Sequence, residues 1–60
     1  MKLVSEDLEE MAKIVKLLDV AIENDLLTAV IYTSLKEMQL NVAITPLMAI
    51  KSAMVEWDCQ

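Results

Sequence analysis

Ile22-Glu23-Asn24-Asp25-Leu26-Leu27 is the stretch on which the fold turns. Before it, Leu8, Met11, Val15, Leu18 and Ile22 recur at three- and four-residue spacing, and Ile14, Leu17 and Ala21 widen the stripe. That is the pattern of an amphipathic helix. After it, Leu27, Val30, Ile31, Leu35 and Met38 form a second stripe. At about 100° per residue, the second stripe projects nearly opposite to the first, so one unbroken helix would aim its two apolar halves apart. A break at Asn24-Asp25 lets both face one core. These side chains compete with the helix for backbone hydrogen bonds, and asparagine tolerates the left-handed conformation that ends helices. The reading predicts a tight helical hairpin, with Leu35 buried mid-stripe.

Working back from the break, Ser5 reads as a helix N-cap, with Glu6 and Asp7 in the first turn where the helix dipole favours negative charge. Helix 1 then runs to about Glu23, and Glu9 and Lys13 stand four apart on its wet side. Working forward, helix 2 spans about Asp25 to Leu40. A further apolar strip of Leu26, Ala29, Thr33 and Leu40 lies beside its main one, leaving Asp25, Thr28, Tyr32, Lys36 and Gln39 as a narrow wettable face. A helix apolar from two directions needs cover on both.

Asn41 stands where a helix C-terminal glycine would be, in a chain with no glycine. Val42-Ala43-Ile44 follows as a β-leaning connector, or as a short strand pairing with its symmetry mate. Thr45-Pro46 is a helix start, threonine as N-cap and proline at the first helical position, where its missing N–H costs nothing. Helix 3 is predicted to about Asp58. Leu47, Ile50, Ala53, Met54 and Trp57 form its main stripe, with Met48, Val55 and Cys59 on another side.

The totals sharpen this all-α reading. Sixty residues make one domain over 1–60, and a chain this short buries only about 60% of the surface its unfolded form exposes. Small folds compensate with disulfides, a metal or a partner subunit. Cys59 is the single cysteine and there is no histidine, so neither an internal disulfide nor a Cys/His zinc site can be assembled. Apolar residues make up 57% of the chain, above the usual ~45–50%. Three short helices cannot shelter that much, so homodimerisation is expected to complete the fold, with Leu27, Val30, Ile31, Leu35, Met38, Ile50 and Met54 as the dimer or core residues.

A net charge of -5 repels phosphate backbones and anionic headgroups, which disfavours direct nucleic-acid or membrane-surface binding. The start, Met1 to Asp7, lacks a signal peptide's apolar core, and the longest uncharged stretch, between Glu37 and Lys51, falls short of the ~20 residues that span a bilayer. A cytoplasmic protein is expected.

Catalysis has little to stand on. No histidine serves proton transfer, no glycine-rich loop cradles phosphate, and neither a serine nor Cys59 has an identifiable base. Carboxylate pairs such as Glu6/Glu10 and Asp19/Glu23 read more simply as solvated helix ends. No cofactor and no metal are expected. A helix-turn-helix DNA-binding reading of helices 2 and 3 is a weaker alternative, disfavoured by charge, since its recognition helix would offer Lys51 beside Glu56 and Asp58.

Small size, an acidic surface and no catalytic groups form the profile of accessory regulators and inhibitors, phage-type inhibitors of host enzymes among them. The expected function is a homodimeric module that binds a larger protein, one with a basic surface, by an apolar edge. The candidate partner-binding residues are Met48, Val55 and Trp57, ringed by Glu9 and Glu10. The alternative is a structural subunit whose apolar surface serves assembly alone.

Overall fold

The computed structural model describes residues 5–59, so the reading of Met1 to Val4 lies outside the described residues. Three helices follow one another: α1 (Ser5–Glu23), α2 (Leu27–Leu40) and α3 (Pro46–Glu56), with no strand among the described residues.

The break falls where the sequence puts it, but the residue that takes the left-handed conformation is Asp25, at φ 59°, rather than Asn24. Asp25 N–H donates to the Ile22 carbonyl at 3.0 Å and Leu26 N–H to the Ala21 carbonyl at 2.8 Å. These two bonds make a Schellman ending, which satisfies carbonyls left open by the last turn. α3 ends the same way, and earlier than expected, at Glu56. Asp58 is left-handed at φ 54°, its N–H donates to Val55 at 3.0 Å, and Cys59 N–H donates to Met54 at 2.8 Å. Lacking glycine, the chain uses aspartate at both turns. Each turn then folds the next apolar residue, Leu26 or Cys59, back onto the core. Cys59 is therefore buried, not aligned with Met48 and Val55 on an outer side.

Asn41 does not replace a left-handed glycine: it is extended, at φ -139° and ψ 97°. Its side chain instead builds the connector, as Asn41 Oδ1 accepts from Ala43 N–H at 3.1 Å and its carbonyl accepts from Ile44 N–H at 3.2 Å. Val42 to Ile44 is thus a turn and bend, and no strand forms there. Thr45 and Pro46 start α3 as expected, with Thr45 Oγ1 accepting from Met48 N–H at 3.2 Å.

The packing departs from a hairpin. α3 sits against both other helices, most extensively against α2, while α1 and α2 touch least. Ala49 and Ala53, fully buried and one turn apart, are small enough for α2 to come close. α1 and α3 run in the same direction, because Glu10 of α1 meets Leu47 at the start of α3 and Leu17 and Val20 meet Met54, Val55 and Cys59 near its end. α2 runs against α3: Thr33 bonds Trp57 and Glu37 bonds Ser52.

The core is Ala21, Val30, Ile50, Ala53, Met54 and Cys59, with Ile14, Leu17, Leu18, Val20, Leu26 and Leu27 packed around it. This corrects the choice of face on α1: of the expected stripe Leu18 packs on the core, whereas Leu8, Met11, Val15 and Ile22 are each about half exposed, and the residues taken to widen the stripe, Ile14, Leu17 and Ala21, pack with Leu18. On α2, Val30 is buried and Leu27 and Met38 are half-buried, but Leu35 is 57% exposed and Ile31 lies at the surface. The buried place one turn after Val30 goes to Ser34, whose hydroxyl donates to the Val30 carbonyl at 2.7 Å and so is satisfied without water. Thr28, Tyr32, Lys36 and Gln39 form the wet face as predicted.

Candidate functional site

The sequence points to a binding edge of Met48, Val55, Trp57, Glu9 and Glu10, and the structure divides that set. Met48 and Val55 lie seven residues apart on one exposed side of α3. Val55 helps line a groove of about 340 Å³ between α1 and α3, with Leu17, Val20, Lys51, Met54 and Cys59. The walls are almost wholly aliphatic, and Lys51 is the one charged side chain lining them. Such a groove suits an apolar side chain from a partner better than a polar metabolite.

Trp57 is elsewhere. Two residues after Val55 it projects toward α2, where its indole N–H donates to Thr33 Oγ1 at 2.8 Å. Trp57 is 44% exposed, but the polar atom of its ring already serves the α2–α3 contact. Glu9 is exposed on α1. Glu10 is half-buried, and its Oε2 accepts from Leu47 N–H at 3.3 Å. A carboxylate there meets an open N–H and the positive end of α3. Glu10 therefore acts within the chain, not on its rim.

Of the remaining candidates, Val30, Ile50 and Met54 are buried, Leu27 and Met38 are half-buried, and Ile31 and Leu35 are exposed. Leu35 also borders a shallow depression of about 230 Å³ with Tyr32, Lys36 and Gln39, where Lys36 Nζ lies 5.8 Å from the Tyr32 ring centre. At that distance the ammonium gains a weak cation–π attraction.

Sequence reasoning missed the α1–α3 groove because Val20 projects about 170° from the centre of the Met11–Ile22 stripe and Leu17, counted among the residues widening that stripe, about 130°. The unused signal was breadth: α1 is apolar over more than half its circumference, so two sides of it compete for the core. Among the described residues, no three of Cys, Asp and Glu gather to hold a metal ion, and no helix is long and apolar enough to cross a membrane. No family model, curated protein or solved structure matches the chain.

Proposed function

We propose that this protein is a small acidic interaction module that associates with itself and binds a larger protein, regulating it by covering part of its surface. The observation that carries this reading is the exposure of large apolar side chains on all three helices, among them Met11 and Val15 on α1, Leu35 on α2 and Val55 on α3. Large exposed apolar patches mark interaction sites. Partner binding is assigned to the α1–α3 groove, with Val55 in its wall and Met48, outside the wall on the same exposed side of α3, as the apolar contacts. The net charge of -5 steers approach toward a basic surface.

Immobilised protein from the native host tests the reading. A specifically retained protein, bound by the purified chain and lost with Val55→Glu, supports it. Binding that survives both Val55→Glu and Met48→Glu overturns the assignment of the groove. The structural-subunit reading draws on the same exposed surface and predicts a ring or filament by light scattering, where the regulator predicts a closed dimer. A helix-turn-helix reading finds less support, since α2 and α3 lie antiparallel, joined at Thr33–Trp57 and Glu37–Ser52, unlike the steep crossing of that motif.

A further inference from the structure

We propose that the α1–α3 groove takes a free fatty acid of medium chain length, its alkyl chain along the aliphatic walls and its carboxylate at a set of lysines where the groove opens. This goes beyond the binding of a protein partner. Both occupants use the Val55 wall, so each excludes the other.

The walls select the tail. Leu17, Val20, Met54, Val55 and Cys59 line the groove, and Lys51 is the one charged side chain among them. The helices on either side spend their backbone N–H and C=O groups on their own ladders. An extended peptide lying here would leave its backbone groups without partners, whereas an alkyl chain asks for none. The volume of about 340 Å³ falls at the small end of the ~300–1,000 Å³ usual for ligand sites. From the height of Lys13 to that of Val20 α1 rises about 10 Å, at 1.5 Å per residue. Both dimensions suit a medium chain rather than a long one.

The lysines select the head. In a chain of net charge -5, three of the four lysines among the described residues converge on this groove. Lys13 stands one turn before Leu17 and Lys16 one turn before Val20, and residues four apart are neighbours on a helix surface. Lys51 comes from the other side. α1 and α3 run parallel with Glu10 bonded to Leu47, an offset of 37 residues, which sets Lys51 level with Ile14 and so beside Lys13 in height. All three lysines are exposed, so their stems lie along apolar surface while the ammonium groups stay in water.

The acids frame this patch. Glu6, Asp7, Glu9 and Glu10 precede it on α1, Asp19 and Glu23 follow it, and between Glu10 and Asp19 the charged residues are Lys13 and Lys16 alone. The carboxylate of Glu10 is turned to Leu47 N–H. Glu56, five residues after Lys51, projects about 140° away from it. Glu23, three residues after Val20, stands beyond the far end of the groove. The ligand's carboxylate therefore sits at the Lys13–Lys51 end, and its tail runs toward Cys59.

Net charge selects the source. An anionic bilayer presents many charges at once and is repelled by the whole acidic surface. A single dissolved anion feels chiefly the charges within about 10 Å at 0.1 M salt, and there the lysines prevail.

Titration of the isotope-labelled protein with sodium decanoate, followed by heteronuclear NMR, tests the proposal on the purified chain. Saturable shifts at Leu17, Val20 and Val55, below the concentration at which decanoate forms micelles, are expected. Decanol and decyltrimethylammonium, which keep the tail and change the head, are expected to bind at least about 10-fold more weakly, as is decanoate to Lys51→Met. Lys36→Met, on the wet face of α2, is expected to bind as the wild type does. No saturable shift, shifts centred on α2, or equal affinity for decanol overturns the site. Binding confined to vesicles of anionic phospholipid overturns the free ligand in favour of a membrane surface. Should Lys51→Met lose its helicity by circular dichroism, the three head groups on the wild type decide alone. A negative result leaves the partner contact at Val55 to its own retention experiment, so the two readings fail separately.

Discussion

Glu10 Oε2 accepts the backbone N–H of Leu47 across 37 residues of sequence, at 3.3 Å. With Thr45 Oγ1 taking Met48 N–H, the Thr45 carbonyl taking Ala49 N–H, and Pro46 having none to offer, the first N–H groups of α3 are all accounted for. The bond also fixes how far α1 slides along α3.

Glu10→Ala is expected to destabilise the fold by about 1 kcal/mol, the size of a lost helix cap. In a domain this small that lowers the melting temperature by about 4–8 °C. Glu9→Ala, one residue away and exposed, should change stability little. Urea unfolding of the two variants makes the comparison, and equal effects would remove the capping role.

The two left-handed aspartates give a test with both signs. Asp25→Asn keeps a side chain that tolerates the conformation and removes a negative charge from the end of α1, so it is expected to stabilise by about 0.5 kcal/mol. Asp25→Val forces a β-branched residue to positive φ and should cost about 1–2 kcal/mol. Asp58 is expected to follow the same ranking, measured by thermal unfolding.

Val30→Ala and Leu35→Ala separate the buried row of α2 from the exposed one. Val30 is fully enclosed, so removing two methyl carbons should cost about 2 kcal/mol. Leu35→Ala should cost well under 1 kcal/mol in chemical denaturation at concentrations where the protein is a single chain. A larger loss at Leu35 than at Val30 would restore the face that the sequence pattern suggested.

Cys59 is 1% exposed, with its backbone N–H held by Met54. Its thiol is expected to react with an aromatic disulfide reagent at least about 10-fold more slowly in buffer than in denaturing urea, since a labelling reaction must wait for opening. Prompt labelling in buffer would show that the second aspartate turn does not hold the chain end onto the core.

The helix count, the break at Asn24-Asp25 and the Thr45-Pro46 start were legible because each depends on local chemistry: a periodicity, a side chain competing with the backbone, a ring that fixes φ. The facing of α1 was not. Its apolar arc is so broad that Leu8, Met11, Val15 and Ile22 fit a core as well as Ile14, Leu17 and Ala21 do, and only the position of α3 decides. α2 concealed a similar choice, because a serine able to bond its own helix occupies a buried place that hydropathy assigns to leucine. The exposure of Val55 and Met48 on α3 was legible in their spacing. Trp57 and Glu10 had tertiary partners, Thr33 and Leu47, that spacing along the chain does not reveal.

The placement of α3 between the other helices also governs the order of folding on the ribosome. α1 and α2, of 19 and 14 residues, emerge first and have little to pack on but each other, and isolated helices of that length are marginal in water. Neither can consolidate until the segment from Ala49 to Met54 has left the exit tunnel. Emergence of that segment then draws both into place in one cooperative step, and until then the nascent chain carries its apolar rows uncovered.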